Sequence, residues 1–257
     1  TGIFVINNGE GSTTITTTGA VKSGDGQTDL TAAQTTGIGV INNNYATDIT
    51  ITAKDVSGLK QAILARNLGT GTTEISVSGD VVGSGSESEG IQTEGSASTI
   101  IVSTSASVSG VAEGIETDSK ADTVTVNGSV TGLNGTAILL GGGNDTVNLG
   151  TTATITGTID GGTGSDTASF SVAKSAVDSF TYNETTKIAV VTIDSKETSF
   201  KDFELFKFSD DTSAMTTAAA VTTLTKVILT ESIGALSVVN SGTSTAPVLD
   251  FYLDSSK

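Results

Sequence analysis

The 257-residue chain contains no cysteine, no histidine and no tryptophan, and only one proline, Pro247, and one arginine, Arg66. Without cysteine there is neither a disulfide framework nor a thiolate metal site. Without histidine the usual general base and the usual neutral metal ligand are gone, and a lone arginine leaves almost no bidentate anion clamp. Most catalytic constellations are thereby removed. Basic residues are also scarce: 12 Lys and Arg stand against 28 Asp and Glu, a net charge of −16. That balance lacks the positive footprint needed to neutralise phosphates, so no nucleic-acid partner is expected and cations are more natural ones. No run of eighteen apolar residues occurs, which argues against membrane insertion through a helix. The chain opens "TGIFVINNGEG" with neither an initiator Met nor a basic-plus-apolar leader, the pattern of a mature or excised product.

What remains is a chain rich in Gly, Ser and Thr that repeats itself. A short apolar segment returns as "TGIFVINNG", "TGIGVINNN", "QAILARNLG", "EGIQTEGSA", "EGIETDSKA" and "TAILLGGGN", anchored by Ile3, Ile38, Ile63, Ile91, Ile115 and Ile138. A second segment follows each anchor. Its apolar pairs Ile49/Ile51, Ile75/Val77, Ile100/Val102, Val124/Val126 and Val147/Leu149 alternate with Thr or Ser in most copies, the period of a strand with one buried face. A third, shorter strand is expected around Val21, Val56, Val81, Val108, Val130 and Ile155. A coil of three short strands has nothing to bury its inner face against until identical coils stack on it. The sequence therefore predicts an all-β parallel β-helix, right-handed, with three strands per coil of about 21–28 residues over 1–170 and a β-rich capping and assembly region over 171–257.

Stacking also places polar residues in columns. Asn7, Asn42 and Asn67 follow their anchors by four residues and read as a structural ladder at a turn. Glu89 and Glu113 precede their anchors by two, and Glu94 and Asp118 follow by three, so each acidic pair is expected to stack. Like charges in register repel unless they splay into water or a cation bridges them, which makes these four candidate metal ligands.

The glycine-rich turns "LLGGGNDTVNLG" (139–150) and "IDGGTGSDTASF" (159–170) lie one coil apart, with Gly143 over Gly164 and Asp145 over Asp166. The second fits Gly-Gly-x-Gly-x-Asp through Gly161, Gly162, Gly164 and Asp166. On these residues the chain resembles the haemolysin-type calcium-binding (RTX) repeat proteins. The segment 180–212, with Tyr182, Thr186, Phe203, Glu204, Phe208 and Asp210, is similar to one that accompanies such repeats. Residues 1–160 also look like bacterial autotransporter and surface-adhesin passengers. The resemblance implies calcium as a cofactor, held by turn carbonyls and carboxylates at Gly143, Asn144, Asp145, Gly161, Gly162, Gly164 and Asp166. It further implies a secreted bacterial protein at the cell surface. The 21-residue offset between the two turns exceeds the family's coil length, so a single site rather than a row of ions is expected.

Seven of the eight phenylalanines lie at or after Phe170, which suggests a cap of larger side chains closing an Ile/Val solenoid. The spacing of Phe200, Phe203 and Phe206 fits either a helical turn or an irregular strand, and "TTAAAVTTLTKVILTESIGALSVVNSG" reads as one or two further strands. The first coil enters directly at a core strand whose edge is open to pairing, and head-to-tail stacking on such an edge generates filaments. The functional expectation is a non-enzymatic extracellular structural or adhesive protein that self-associates through its solenoid ends, with a glycan or cell-surface ligand as a further partner. Two alternatives stay open. One is a polysaccharide-acting enzyme using Lys54, Lys60 and Arg66; the other is an ice-binding protein presenting the outward rows Thr14/Thr16, Thr50/Thr52 and Thr123/Thr125.

Overall fold

A computed structural model describes the backbone of residues 2–24, 35–216, 236–240 and 249–253, and side chains over 2–24 and 35–210. The anchoring isoleucines form one vertical column. Ile3 pairs with Ile38, Ile38 with Ile63, Ile63 with Ile91, Ile91 with Ile115, and Ile115 with Ile138, all in parallel register. The column continues to Ile159 and then to Phe200. From Ile38 onward each of these side chains is completely buried. Burying an aliphatic side chain of this size stabilises by about 1.5–3 kcal/mol, so this one column is a main support of the fold.

The second segments stack into a separate nine-stranded sheet running from Gly11–Thr16 to Leu205–Phe208 and Asp211–Thr216. Its inner column runs Ile15, Ile51, Ile75, Ile100, Val124, Val147, Ala168 and Phe206. One alignment differs from the sequence expectation. Ile51, not Ile49, lies beside Ile75; Ala53 lies beside Val77 and Ile49 beside Thr73. The strand Ala46–Ala53 is eight residues long, so the same alternation offers a register two residues along that keeps the apolar face inward.

The third strands stack through Val21, Val56, Val81, Val108, Val130 and Ile155 as expected. They belong to the same sheet as the first strands because Ser129–Leu139 and Thr154–Asp160 each run unbroken from the third position of one coil into the first position of the next. Three strands per coil, stacked in parallel, make the molecule a β-solenoid.

The stacking carries on past Phe170. After a short 3-10 turn at Lys174–Ala176 the chain makes two antiparallel hairpins, Val177–Asn183 with Ile188–Ile193 and the latter with Lys196–Lys201. Lys196–Lys201 then rejoins the first ladder and Leu205–Phe208 the second, both parallel. Phe200 and Phe206 are fully buried, their rings edge to face at 5.4 Å, and Phe170 stacks on Phe208 at 5.1 Å. Phe200 and Phe206 thus lie on strands and Phe203 on the turn between them, so no helical turn forms. The chain divides into two compact units, Thr1–Thr222 and Thr223–Lys257. In the second, Leu236–Asn240 pairs antiparallel with Leu249–Leu253, which places one strand inside the stretch expected to hold one or two; 217–235 lie outside the described residues.

Candidate functional site

Two acidic columns run along the solenoid. The first stands at the entrance to the second ladder, where the N–H of Ser98, the first residue of its strand, and those of Asp122, Asp145 and Asp166, each just before theirs, meet a side chain of the next coil rather than a backbone carbonyl. Each of these side chains is a carboxylate. Asp122 Oδ1 accepts the Ser98 N–H at 2.6 Å, Asp145 Oδ1 accepts the Asp122 N–H at 2.7 Å, and Asp166 Oδ1 accepts the Asp145 N–H at 2.8 Å. The column ends where Glu204 Oε2 accepts the Asp166 N–H at 2.7 Å. In return the carbonyls of Asp122, Asp145 and Asp166 receive N–H groups from Thr146, Thr167 and Leu205. Each coil is therefore clamped to the next through both backbone groups of one residue.

The second carboxylate oxygens of Asp122, Asp145 and Asp166 are buried and have no hydrogen-bond partner. Burial first, and the neighbouring carboxylates after it, push Asp145 up to about 7 and Asp122 and Asp166 up to about 6. The charges adding to burial at Asp145 are Asp122, Asp166 and Asp118; at Asp166 they are Glu204, Asp160 and Asp202. The turn glycines fit this packing. Gly143 and Gly164 have φ of 130° and 149° and lie in register, and a methyl group on Gly164 would fall 1.4 Å from the Gly143 carbonyl oxygen. A Cβ on Gly161 would meet the Asp166 carboxylate at 2.7 Å, and Asn144 Oδ1 accepts the Ser165 N–H at 3.0 Å. What this neighbourhood offers a cation is one free carboxylate oxygen per coil on side chains at most 2% exposed. Gly162 has a φ of 79° and donates its N–H to Asp160 Oδ1 at 3.1 Å.

The second acidic group lies on the first ladder. One oxygen from each of Glu89, Glu113 and Glu116 lies within 4.8 Å of the others. Glu89 is 8% exposed and its Oε2 has no hydrogen-bond partner. Glu113 and Glu116 are half-buried. All three titrate above the ordinary carboxylate range: burial raises each, and Glu116 raises both Glu89 and Glu113. An amide relay feeds this cluster. Gln61 Nε2 donates to Gln92 Oε1 at 2.9 Å, and Gln92 Nε2 donates to Glu116 Oε2 at 2.7 Å.

Of the four ladder acids singled out in the sequence, Glu89 and Glu113 come together, while Glu94 and Asp118 go elsewhere. Glu94 forms an ion pair with Arg66 at 2.5 Å, and Asp118 Oδ2 accepts the Gly95 N–H at 2.5 Å. Sequence reasoning missed Glu116, which sits one residue after its anchor and beside Gln92, and missed Asp122 and Glu204 in the aspartate column. The recurring "DT" before second-ladder strands, in "DTVTVN" and "DTVNLG", was the available signal for Asp122.

The asparagines do stack in register, Asn7 with Asn42 and Asn42 with Asn67. Their amides bond to turn groups: Asn42 Nδ2 donates to the Thr47 and Asp48 carbonyls, and Asn67 Nδ2 to those of Thr47 and Thr72. Of the basic residues considered for polysaccharide chemistry, Lys54 and Lys60 flank the strand Val56–Gly58 and Arg66 lies on Gln61–Asn67, engaged by Glu94. A cavity of about 190 Å³ is lined by apolar residues such as Phe170 and Val191 and by polar ones including Thr198, Asp194 and Lys196. No helix among the described residues is long and apolar enough to cross a membrane. No known protein family, curated protein or solved structure matches the chain.

Proposed function

We propose that this protein is a non-enzymatic structural or adhesive component of the extracellular space or cell surface, assembling through the ends of its solenoid. The observation that carries the reading is the in-register parallel stacking of the coils, in which each coil adds its strands to the edges of the one before. Among the described residues, Ile3–Asn7, Gly11–Thr16 and Val21–Lys22 each have a strand partner on one side only. Their other side is a row of backbone donors and acceptors of the kind that adds another strand. A second copy joined there makes a heterologous contact that does not close, and so a filament. The one arginine is engaged by Glu94, and the aspartates raised toward neutral pH are buried within the ladder, which favours this reading over a polysaccharide-acting enzyme. Calcium and a secreted bacterial origin belong to the same reading, motivated by the glycine-aspartate turns.

Light scattering of the chain, alone and with a Ile6→Lys variant, tests assembly. Ile6 is 54% exposed on the edge strand, where a lysine blunts strand addition without touching the core. Concentration-dependent growth in the parent and its loss in the variant are expected; a monomer under all conditions removes the assembly claim.

One observation favours a second reading, binding to an ordered lattice such as ice. The register of the second sheet aligns Thr14, Thr50, Glu74, Thr99, Thr123, Thr146 and Thr167 in one column, more threonines than the sequence had brought together. The neighbouring column, Thr16, Thr52, Ser76, Ile101, Thr125, Asn148 and Ser169, is mixed. Strand spacing of about 4.8 Å sets the repeat along each column. A thermal-hysteresis measurement decides: a gap between melting and freezing that Thr123→Asp narrows supports lattice binding, and its absence in the parent excludes it.

A further inference from the structure

We propose that Glu89, Glu113 and Glu116 form a binding site for one hard divalent cation of the calcium class, which clasps two adjacent coils of the first ladder. The inference stands apart from the adhesive reading and from the glycine-aspartate turns. Two independent observations carry it. The first is geometric: oxygens bound to calcium at 2.3–2.6 Å lie at most about 5.2 Å apart. The three carboxylate oxygens, all within 4.8 Å of one another, already satisfy that limit.

The second is an unmet need. Glu89 is 8% exposed, its carboxylate points into the cluster, and its Oε2 is buried without a partner. A buried carboxylate oxygen left bare is costly, and here two further carboxylates stand beside it. Gln61 hydrogen-bonds the Glu89 carboxyl, yet Oε2 stays without a partner, and Gln92 Nε2 donates to Glu116 Oε2. Lys60, exposed to solvent, offsets part of the charge on Glu116. A cation among the three oxygens removes their mutual repulsion and gives Glu89 the ligand its position lacks.

The donor set fixes the class of ion. A chain without His or Cys offers oxygen alone, which selects calcium-like over zinc- or copper-like ions. Half-buried Glu113 and Glu116 leave solvent access for the water ligands that complete a six- to eight-fold shell. Carboxylates bind calcium only when deprotonated, so calcium and protons compete and binding strengthens as pH rises. Glu89 lies one coil from Glu113 and Glu116, so the ion would pin the strands Glu89–Glu94 and Glu113–Glu116 together.

Calorimetry of the chelator-treated full chain with calcium chloride tests this, with thermal unfolding run in parallel. The parent should take up an equivalent of calcium that Glu89→Gln loses or binds at least about tenfold more weakly. Calcium should also raise the melting temperature of the parent more than that of the variant. Glu116→Gln serves as the second variant should Glu89→Gln fail to fold, folding being read by circular dichroism. The proposal is overturned if the parent shows neither heat nor a melting shift, or if both glutamine variants bind as the parent does. It is equally overturned if binding survives Glu89→Gln and is lost in Asp145→Asn, which assigns the ion to the turns.

Discussion

A single aspartate shows how this fold uses its charges. Asp145 gives one oxygen to the Asp122 N–H and keeps the other buried and bare, and burial among like charges lifts it from an ordinary value of 3.8 to about 7. The folded chain therefore holds a proton there that the unfolded chain releases at much lower pH. Between those two values the native state binds more protons, so stability is fully present at the acidic end and is lost as pH rises through about 7. Asp122 and Asp166, both raised to about 6, act in the same direction. The melting temperature should thus be higher at about pH 5 than at about pH 8. Asp145→Asn keeps the oxygen that accepts the Asp122 N–H and removes the ionisation, so its melting temperature should vary less across that range. A parent that melts higher at alkaline pH, or a variant with the parent's slope, would contradict this account of the column.

At the scale of the strand, the repeat was open to reading because burial imposes it. Each anchoring isoleucine must face the interior, so spacing alone placed Ile3, Ile38, Ile63, Ile91, Ile115 and Ile138 on one column, and the third-strand valines on another. Replacing Ile91 by Ala at the centre of that column should cost about 2–5 kcal/mol, seen as a fall of several degrees in melting temperature. Little change would mean the column is not close-packed. The strand Ala46–Ala53 escaped the reading because alternation of period two is satisfied equally by a register two residues along, and only stacking against Thr73–Val77 chooses between them. The site was half legible for a related reason. Register puts Glu89 and Glu113 together, but Glu116 lies three residues after Glu113 on the same strand, where strict alternation would put it on the opposite face, so linear spacing does not report that they meet. Glu94 was misplaced in the same way, since Arg66 one coil away offered a better partner than Asp118. The hairpins of 177–201 were hidden because they interrupt the repeat; only the phenylalanines marked where the ladder resumes.

For the whole molecule, the ladders of the first unit stack in parallel, coil on coil, and the full chain carries a net charge of −16. Charge of one sign keeps copies apart, while unpaired strand edges favour adding further strands in register. Cations that bridge carboxylates would reduce the repulsion that opposes joining, so calcium should promote assembly. These forces together define the central claim, a structural protein that grows along its own axis. Electron microscopy of the purified full chain, with and without calcium chloride and joined to fibre diffraction, tests it most directly. The account predicts filaments one solenoid wide, longer with calcium, giving an axial repeat of about 4.8 Å. Single, unassociated particles at every concentration and calcium level would contradict it.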